Sequence, residues 1–365
     1  MSDKSKANGS LVAVPIDWLF EGAEIQEDVY NANASRLIIR HGSKLNDGDI
    51  QRIKKLNEGS DTIYVSNNTY KVLAERIPVV VAESLSEAEE STGYNTIKDD
   101  TYLLLDEISH MKSVHQDALL SVSAELSHRL EVTSPATILT LINALAPVDE
   151  YLQRHCVNVS LLNGLIGRWL GLSKTDIDKL VLIGLLHDCG KALVPPQVLN
   201  APRKLTLTEF EVIKMHPVYA YDLLAGFPED VRLAARRHHE KVNGEGYPDH
   251  LSSAGTLTEA RITAVSDIYD AMVSQRAYKK PRSPFSIMAM LIELEGSELD
   301  ADLVSVFNKN MPQELINKAA VMSDGSIGII RSFDPDDIEY PLLEINGNTI
   351  KSNSGLYCTS MYTED

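Results

Sequence analysis

The sequence predicts a mainly α-helical protein with a small α+β domain at the N-terminus and a short β appendage at the C-terminus. Three observations predict this fold class. Residues 11–75 mix short β-like runs with a helical stretch, residues 135–318 show one helical pattern after another, and β-like runs with turn signals return after Ala320. A chain of 365 residues has room for two or three such units.

The N-terminal domain, residues 1–80, is predicted from its local patterns. β-like runs cover Leu11 to Pro15, Arg36 to Ile39 and Thr62 to Val65, and a helical stretch lies near Asp49 to Leu56. These residues contain no phosphoacceptor pattern and no cofactor motif that would show what they sense. A regulatory or dimerising role is expected for them.

Residues 81–134 are predicted to form a linker followed by a long helix. The stretch from Val81 to Asp100 is acidic and polar, which is typical of a solvated linker. From Tyr102 to Leu130 apolar residues recur at helical spacing, which predicts one amphipathic helix over 102–130. This helix would either pair with its copy in a homodimer or pack on its own domain.

The helical block, 135–318, and the β appendage, 319–365, differ in the residues that mark their turns. The helical patterns are interrupted at Pro195-Pro196, Pro217, Pro248 and Pro281. The appendage contains the signals Ser323-Asp324-Gly325, Ile327 to Ile330 and Glu344-Ile345-Asn346-Gly347.

Composition excludes several classes of protein. A net charge of −18 argues against a DNA- or RNA-binding surface. No run of about 18 apolar residues and no signal peptide are found, so we expect no membrane insertion and a cytoplasmic location. The 3 cysteines form no C-x-x-C pair, which argues against disulfides or a thiolate zinc site.

A cluster of metal-ligand residue types lies in the helical block. Asp188 follows the apolar run Leu180 to Leu186, which would hold an imidazole and a carboxylate together at a helix end. Asp267 lies in an amphipathic segment, and a carboxylate that projects toward a core needs a counter-charge such as a cation. Five histidines occur in the same block: His155, His187, His216, His238 and His239.

The order and spacing of these residues resemble the signature of the HD-GYP domain family, a group of HD-superfamily metal-dependent phosphohydrolases. The matching motifs are His155, His187-Asp188-Cys189-Gly190-Lys191, His216-Pro217, His238-His239-Glu240, Gly246-Tyr247-Pro248, Asp267-Ile-Tyr-Asp270 and Arg276-Ala-Tyr-Lys279. The resemblance covers roughly residues 135–318. It implies an all-helical HD-type catalytic domain.

The resemblance implies a binuclear metal site. The ligands of one ion would be His155, His187, Asp188 and Asp267, and those of the second would be Asp188, His216, His238 and His239. Asp188 would bridge the ions and be essential for catalysis. Tyr151 stands where three-metal members are expected to carry a glutamate, which favours two ions. Imidazole and carboxylate ligands without thiolate favour iron first and manganese second.

The resemblance also implies substrate contacts. Lys191 would contact the scissile phosphate or help the leaving oxygen depart, and Arg276 and Lys279 would bind the other phosphates. Tyr247 would contact the ligand or serve as a packing anchor, and Asp270 would orient a ligand or hydrogen-bond a metal-bound water.

The implied function is hydrolysis of cyclic di-GMP to linear pGpG, and onward to GMP, by a water that two metal ions activate. One alternative is a catalytically weak sensor that passes a signal through the 102–130 helix. Another is an HD phosphohydrolase acting on another cyclic dinucleotide or nucleotide. The Gly246-Tyr247-Pro248 loop is also suited to a signalling-protein partner.

Overall fold

A computed structural model describes most of the helical block and of the C-terminal appendage. The described residues are 11–15, 29–30, 37–39, 43–46, 48–49, 62–66, 94, 97–101, 103–104, 108, 110–143, 151–199, 201, 203–273 and 282–362. Across this part of the chain, every helix is too short or too polar to cross a lipid bilayer.

Four short strands are described in the N-terminal domain. They are β1 Leu11–Pro15, β2 Val29–Tyr30, β3 Leu37–Ile39 and β4 Thr62–Ser66. β1 pairs antiparallel with β4, and β2 pairs antiparallel with β3. The three predicted β-like runs are confirmed, whereas the two-residue β2 is too short to show alternation. Of the helix predicted near Asp49 to Leu56, the structure describes Asp49 alone, as helical; the rest lies outside the described residues.

Eleven α-helices are described between the strands of the two ends. They are α1 Gln116–Val132, α2 Pro135–Asn143, α3 Tyr151–Trp169, α4 Lys174–Leu186, α5 Pro196–Leu199, α6 Leu207–Ile213, α7 His216–Leu223, α8 Glu229–Arg237, α9 Thr258–Val273, α10 Pro284–Leu294 and α11 Ala301–Glu314. Two 3-10 helices, Cys189–Leu193 and Ser253–Gly255, lie among them. α3 and α4 approach so closely that a Cβ on Gly184 would lie 2.6 Å from Ser160 Cα.

The predicted continuous helix over 102–130 is wrong in its middle. Lys112 has a φ of 54°, a left-handed conformation that commonly ends a helix, and α1 begins only at Gln116. Leu119, Leu126 and Leu130 of α1 are buried in the core, so this helix packs on its own domain. The homodimer through residues 102–130 stays a prediction.

The acidic stretch before α1 is not a fully solvated linker. Tyr94 and Ile97 are only 8% and 5% exposed, and both pack into the core that the helices share. Thr101 is also buried and bonds through its hydroxyl to the Ile97 carbonyl. The helical block therefore includes side chains from upstream of residue 135.

The C-terminal appendage is a five-stranded antiparallel sheet. Its strands are β5 Ala319–Met322, β6 Ile327–Ser332, β7 Leu342–Ile345, β8 Asn348–Lys351 and β9 Cys358–Met361, in the order β8-β7-β6-β5-β9. Positive φ angles of 50° and 76° at Asn346 and Gly347 make the tight turn between β7 and β8. The Phe285 and Phe333 ring centroids lie 5.1 Å apart, which joins the sheet to the core of the helical block.

Candidate metal centre

The structure brings all seven predicted metal ligands into two adjacent sets. Among the described residues, one set is His155, His187 and Asp267, and the other is Asp188, His216, His238 and His239. Within each set, one potential ligand atom from each side chain lies within 4.8 Å of the others. The second set contains the four residues that the resemblance implies for one ion, and the first contains three of the four implied for the other, without Asp188.

Asp188 lies between the two sets, and each of its oxygens faces one of them. Oδ2 lies 3.4 Å from Nε2 of His155 and 3.4 Å from Nε2 of His187. Oδ1 lies 3.2 Å from Nε2 of His216 and 3.9 Å from Nε2 of His238. This carboxylate is therefore placed to ligate two cations at once.

Helix ends supply most of the ligands. α4 ends at Leu186, so His187 caps it and Asp188 precedes the 3-10 helix Cys189–Leu193. His216 begins α7, and His238 caps the C-terminus of α8. The interiors of α3 and α9 contribute His155 and Asp267.

Gly190 permits the close approach that joins the two sets. A Cβ at this position would lie 2.0 Å from the His216 carbonyl oxygen and 2.5 Å from the Ala220 nitrogen. Both contacts are to backbone atoms, which a side-chain rotation cannot relieve. Glycine is therefore the residue that lets α7 pack against the 3-10 helix and place His216 beside Asp188.

Hydrogen bonds fix the orientation of four ligand imidazoles. In His187, His216 and His238, Nδ1 lies 2.7 Å from the carbonyl oxygen three residues earlier in the chain. In His155, Nδ1 lies 2.7 Å from Oδ2 of Asp270. A carbonyl or carboxylate oxygen can only accept, so Nδ1 carries the proton and Nε2 presents its lone pair to the centre.

The protonation of the cluster suits cation binding. Burial and the imidazole of His239 hold the pKa of His238 well below its usual range, and burial lowers the pKa of His239 to about 3. Burial alone would raise the pKa of Asp188, but the Lys191 ammonium and His187 hold it well below its usual range. Neutral imidazoles and ionised carboxylates are the forms that bind metal ions.

Asp267 projects inward, as its sequence setting predicts. Its Oδ1 lies 3.1 Å from Nε2 of His155, and its Oδ2 lies 3.7 Å from Nδ1 of His239. Burial would raise the pKa of Asp267, yet the neighbouring His155 imidazole lowers it below the usual range. Asp267 therefore adds negative charge where the two sets meet.

Two buried polar atoms support a fit between these residues and metal ions. Within the described part of the chain, His187 Nε2 and Asp188 Oδ1 are buried without a hydrogen-bond partner. Leaving such groups unpaired is costly, and a cation in each ligand set would satisfy one of them. The flanking thiols offer no competing ligand, because burial raises the pKa of Cys156 to about 12 and that of Cys189 above its usual range.

Lys191 is directly attached to the site. Its Nζ donates to Oδ2 of Asp188 across one turn of the 3-10 helix, and its side chain is largely buried. Since α4 ends at Leu186, Lys191 does not lie on a continuation of that α-helix. It reaches Asp188, three residues earlier, across the 3-10 turn.

Tyr247 forms one wall of the centre. Its ring stacks on the His239 ring, with centroids 4.7 Å apart and planes inclined by 29°, and its backbone N–H donates to the His239 carbonyl. The Lys214 ammonium lies 5.4 Å from the Tyr247 centroid. A Cβ on Gly246 would lie 2.4 Å from the Lys241 nitrogen, so the loop folds tightly against the ligand-bearing segment. Tyr247 is thus a packing anchor beside the site.

Glu240 is a structural element of the site whose role the sequence did not reveal. This buried carboxylate accepts from the backbone N–H groups of Asp249 at 2.6 Å and Leu251 at 2.9 Å. It thereby fixes the loop that carries Tyr247. The sequence feature that could have indicated this role is the position of Glu240 directly after the ligands His238 and His239.

The predicted substrate contact of Asp270 is wrong. Asp270 is 0% exposed, so a substrate cannot reach it. Its Oδ2 accepts from His155, and its Oδ1 accepts from the side-chain nitrogen of Asn158 at 2.6 Å. Asp270 instead positions a metal ligand, and Asn158, which the sequence did not single out, positions Asp270.

Three predicted residues fall where the structure gives no side chain. Arg276 and Lys279 lie outside the described residues, and Tyr151 is described in its backbone alone, within α3. Their predicted roles stay predictions.

Known proteins are similar to this chain in sequence. Residues 139–303 match the HD domain family. The chain is 34% identical over 208 residues to the cyclic di-GMP phosphodiesterase response regulator RpfG of Xanthomonas campestris, covering 55% of either chain. It is 30% identical over 186 residues to the 3'3'-cGAMP-specific phosphodiesterase 1 of Vibrio cholerae, covering 50% of this chain and 43% of that protein.

A solved structure extends the likeness in fold. The HDG"Y"P protein Bd1817 from Bdellovibrio bacteriovorus superposes with a TM-score of 0.52 over 83% of this chain and 99% of its own, at 16% identity. The chain spans about half the length of the curated relatives it matches. The helical fold and the paired His/Asp sets define an HD domain at residues 139–303. The motif set of this chain resembles that of the HD-GYP family.

Proposed function

We propose that this protein is a metal-dependent phosphodiesterase that hydrolyses cyclic di-GMP to linear pGpG, with GMP as the product of a second cleavage. The observation that carries the proposal is the placement of Asp188, whose two oxygens face two separate ligand sets. The relative named as a cyclic di-GMP phosphodiesterase supports the choice of substrate.

The seven ligands would coordinate two cations. His155, His187 and Asp267 would hold one ion, His216, His238 and His239 would hold the other, and Asp188 would serve both. Two divalent ions, iron by preference and manganese second, would polarise the phosphodiester and lower the pKa of the attacking water.

The remaining residues would bind and orient the substrate. Lys191 is held beside Asp188, so its ammonium can donate to a phosphate oxygen or to the leaving oxygen near the ions. Tyr247 and Lys214 line the side of the site next to His239. Arg276 and Lys279 would supply local positive charge to a dianionic substrate in a protein whose net charge is −18.

We propose the cytoplasm as the compartment in which the protein works. Cys156, Cys189 and Cys358 are all free and buried, as expected of reduced thiols. A signalling partner at the Gly246-Tyr247-Pro248 loop remains a further expectation. Gly246 is buried there, which leaves Tyr247 and Pro248 as the partly exposed side chains of that loop.

Metal content and reaction products of one purified sample test the proposal. We expect about two equivalents of iron or manganese per chain by elemental analysis, and pGpG as the product of cyclic di-GMP by chromatography. Three tightly bound equivalents would contradict the binuclear site. Binding of cyclic di-GMP without turnover would favour the sensor hypothesis. A kcat/KM higher for 3'3'-cGAMP than for cyclic di-GMP would identify 3'3'-cGAMP as the preferred substrate.

Arg276→Ala and Lys279→Ala are each expected to lower kcat/KM about ten- to a hundred-fold, mainly through a higher KM, with unchanged metal content. The reason is that one charge-assisted hydrogen bond contributes about 1.5–3 kcal/mol. Steady-state kinetics with cyclic di-GMP measure the effect, and Lys309→Ala, on the exposed side of α11, is a matched charge control. If both variants matched the original enzyme, neither residue would contact phosphate.

A further inference from the structure

We infer that Tyr94 is a positioning residue for the metal ligand His155 and couples the segment preceding α1 to the metal centre. A continuous chain of side-chain hydrogen bonds connects them. The Tyr94 hydroxyl donates to Asn158 Oδ1 at 2.5 Å, and Asn158 Nδ2 donates to Asp270 Oδ1 at 2.6 Å. Asp270 Oδ2 then accepts from His155 Nδ1 at 2.7 Å, and His155 Nε2 faces Asp188 and Asp267.

The direction of every bond in this chain is fixed by the carboxylate. Asp270 accepts at both oxygens, so His155 must present N–H from Nδ1 and Asn158 must present its NH₂ group. Asn158 Oδ1 is then left as an acceptor in need of a donor, and the Tyr94 hydroxyl supplies one. The position of the Tyr94 hydroxyl therefore bears on the placement of Asn158 and Asp270, and through them on the ring angle of His155.

Because these side chains are buried, water cannot readily replace the hydrogen bonds between them. Asn158 and Asp270 are 0% exposed, and His155 is 1% exposed. A water molecule cannot readily take the place of the Tyr94 hydroxyl without opening the core. Losing that donor would leave Asn158 Oδ1 buried and unpaired, a penalty that a shift of Asn158 and Asp270 would partly relieve.

The location of Tyr94 links this chain to the N-terminal half of the protein. Tyr94 lies between β4 and α1, upstream of the HD domain, and is held by Ile97 in the core and by the Arg154 guanidinium 5.6 Å from its ring centroid. A small apolar cavity lined by Tyr94, Ile97, Leu126 and other side chains adjoins the ring. Through the hydrogen-bond chain, a change in the position of Tyr94 would alter the metal affinity of the site.

The test is Tyr94→Phe, which removes the hydroxyl and keeps the ring. The inference rests on the metal centre of the proposed function and not on its substrate, so Mn²⁺ binding to the full metal-free chain is the readout. We expect one of two Mn²⁺ ions to bind roughly ten-fold more weakly, the low end of the ~10–100-fold effect of losing groups that support metal ligands. A variant that binds both ions as tightly as the original protein would overturn the inference.

Tyr269→Phe is the matched control. The Tyr269 hydroxyl is also buried and donates to an asparagine, Asn143 Oδ1, at 2.6 Å, but Asn143 then bonds to the Leu139 carbonyl and not to a metal ligand. We expect this variant to lose thermal stability while binding both Mn²⁺ ions normally. Equal weakening in both variants would mark Tyr94 as merely structural. Because no substrate is used, the result holds whether or not cyclic di-GMP is cleaved.

Discussion

Asp188→Ala is expected to abolish phosphodiesterase turnover, with kcat lower by about three orders of magnitude or more. This side chain is the carboxylate whose oxygens face both ligand sets, and its loss would also remove the hydrogen bond that Lys191 donates to it. Two-metal sites stabilise transition-state charge by several kcal/mol, and each 1.36 kcal/mol is about ten-fold in rate. Initial rates with cyclic di-GMP and elemental analysis of the variant measure both consequences.

A surface carboxylate provides the control for Asp188→Ala. Asp178 lies on α4, the helix that leads to Asp188, and pairs with Lys174 at 3.2 Å in an exposed position. Asp178→Ala should keep the original rate and metal content. If Asp188→Ala kept even a tenth of the original rate, the bridging assignment would be incorrect.

Gly190→Ala is expected to separate α7 from the 3-10 helix and to weaken metal binding at the His216 set. The added Cβ would meet backbone atoms at 2.0 Å and 2.5 Å, so the helices must move. Overpacking in a core typically costs about 1–3 kcal/mol, and contacts this short place the expected loss at the upper end or beyond. Thermal unfolding and metal content of the purified variant are the measurements.

Gly255→Ala controls for the loss of glycine itself. A Cβ there would meet only the Leu251 side chain, at 3.3 Å or more, which a small rotation relieves. We expect nearly unchanged unfolding temperature and two bound ions. A Gly190→Ala protein with the same properties as this control would show that the close approach does not hold the two ligand sets together.

The ligand set was predicted because its residues match a family signature in order and spacing along the chain. How deeply each side chain of one helix is buried cannot be read from the same pattern. Asp267 and Asp270 lie one turn apart on α9, and both look like carboxylates that face the site. Asp270 lies deeper, where Asn158 and His155 take up its oxygens. That distinction depends on the packing of α3 against α9, which no local pattern contains.

The region before α1 shows a second limit of sequence patterns. Apolar spacing continues across Lys112, although the backbone there turns left-handed and ends the helical course. Acidic composition around Tyr94 and Ile97 predicts a solvated linker, yet these two side chains are buried in the core. In contrast, β1 and the turn at Asn346-Gly347 follow from local residue preferences and were predicted.

The imidazoles of His187, His216 and His238 are each held by a carbonyl oxygen only three residues away along the chain. Their rotational freedom is therefore surrendered when the polypeptide folds, before any cation arrives. Binding of ions therefore does not cost this side-chain entropy, and loss of the ions does not restore it. Metal binding would still stabilise the folded protein, because a cation would supply the partner that the buried His187 Nε2 and Asp188 Oδ1 lack. The local carbonyl contacts would therefore lower the entropy cost of loading without making the fold independent of the metal.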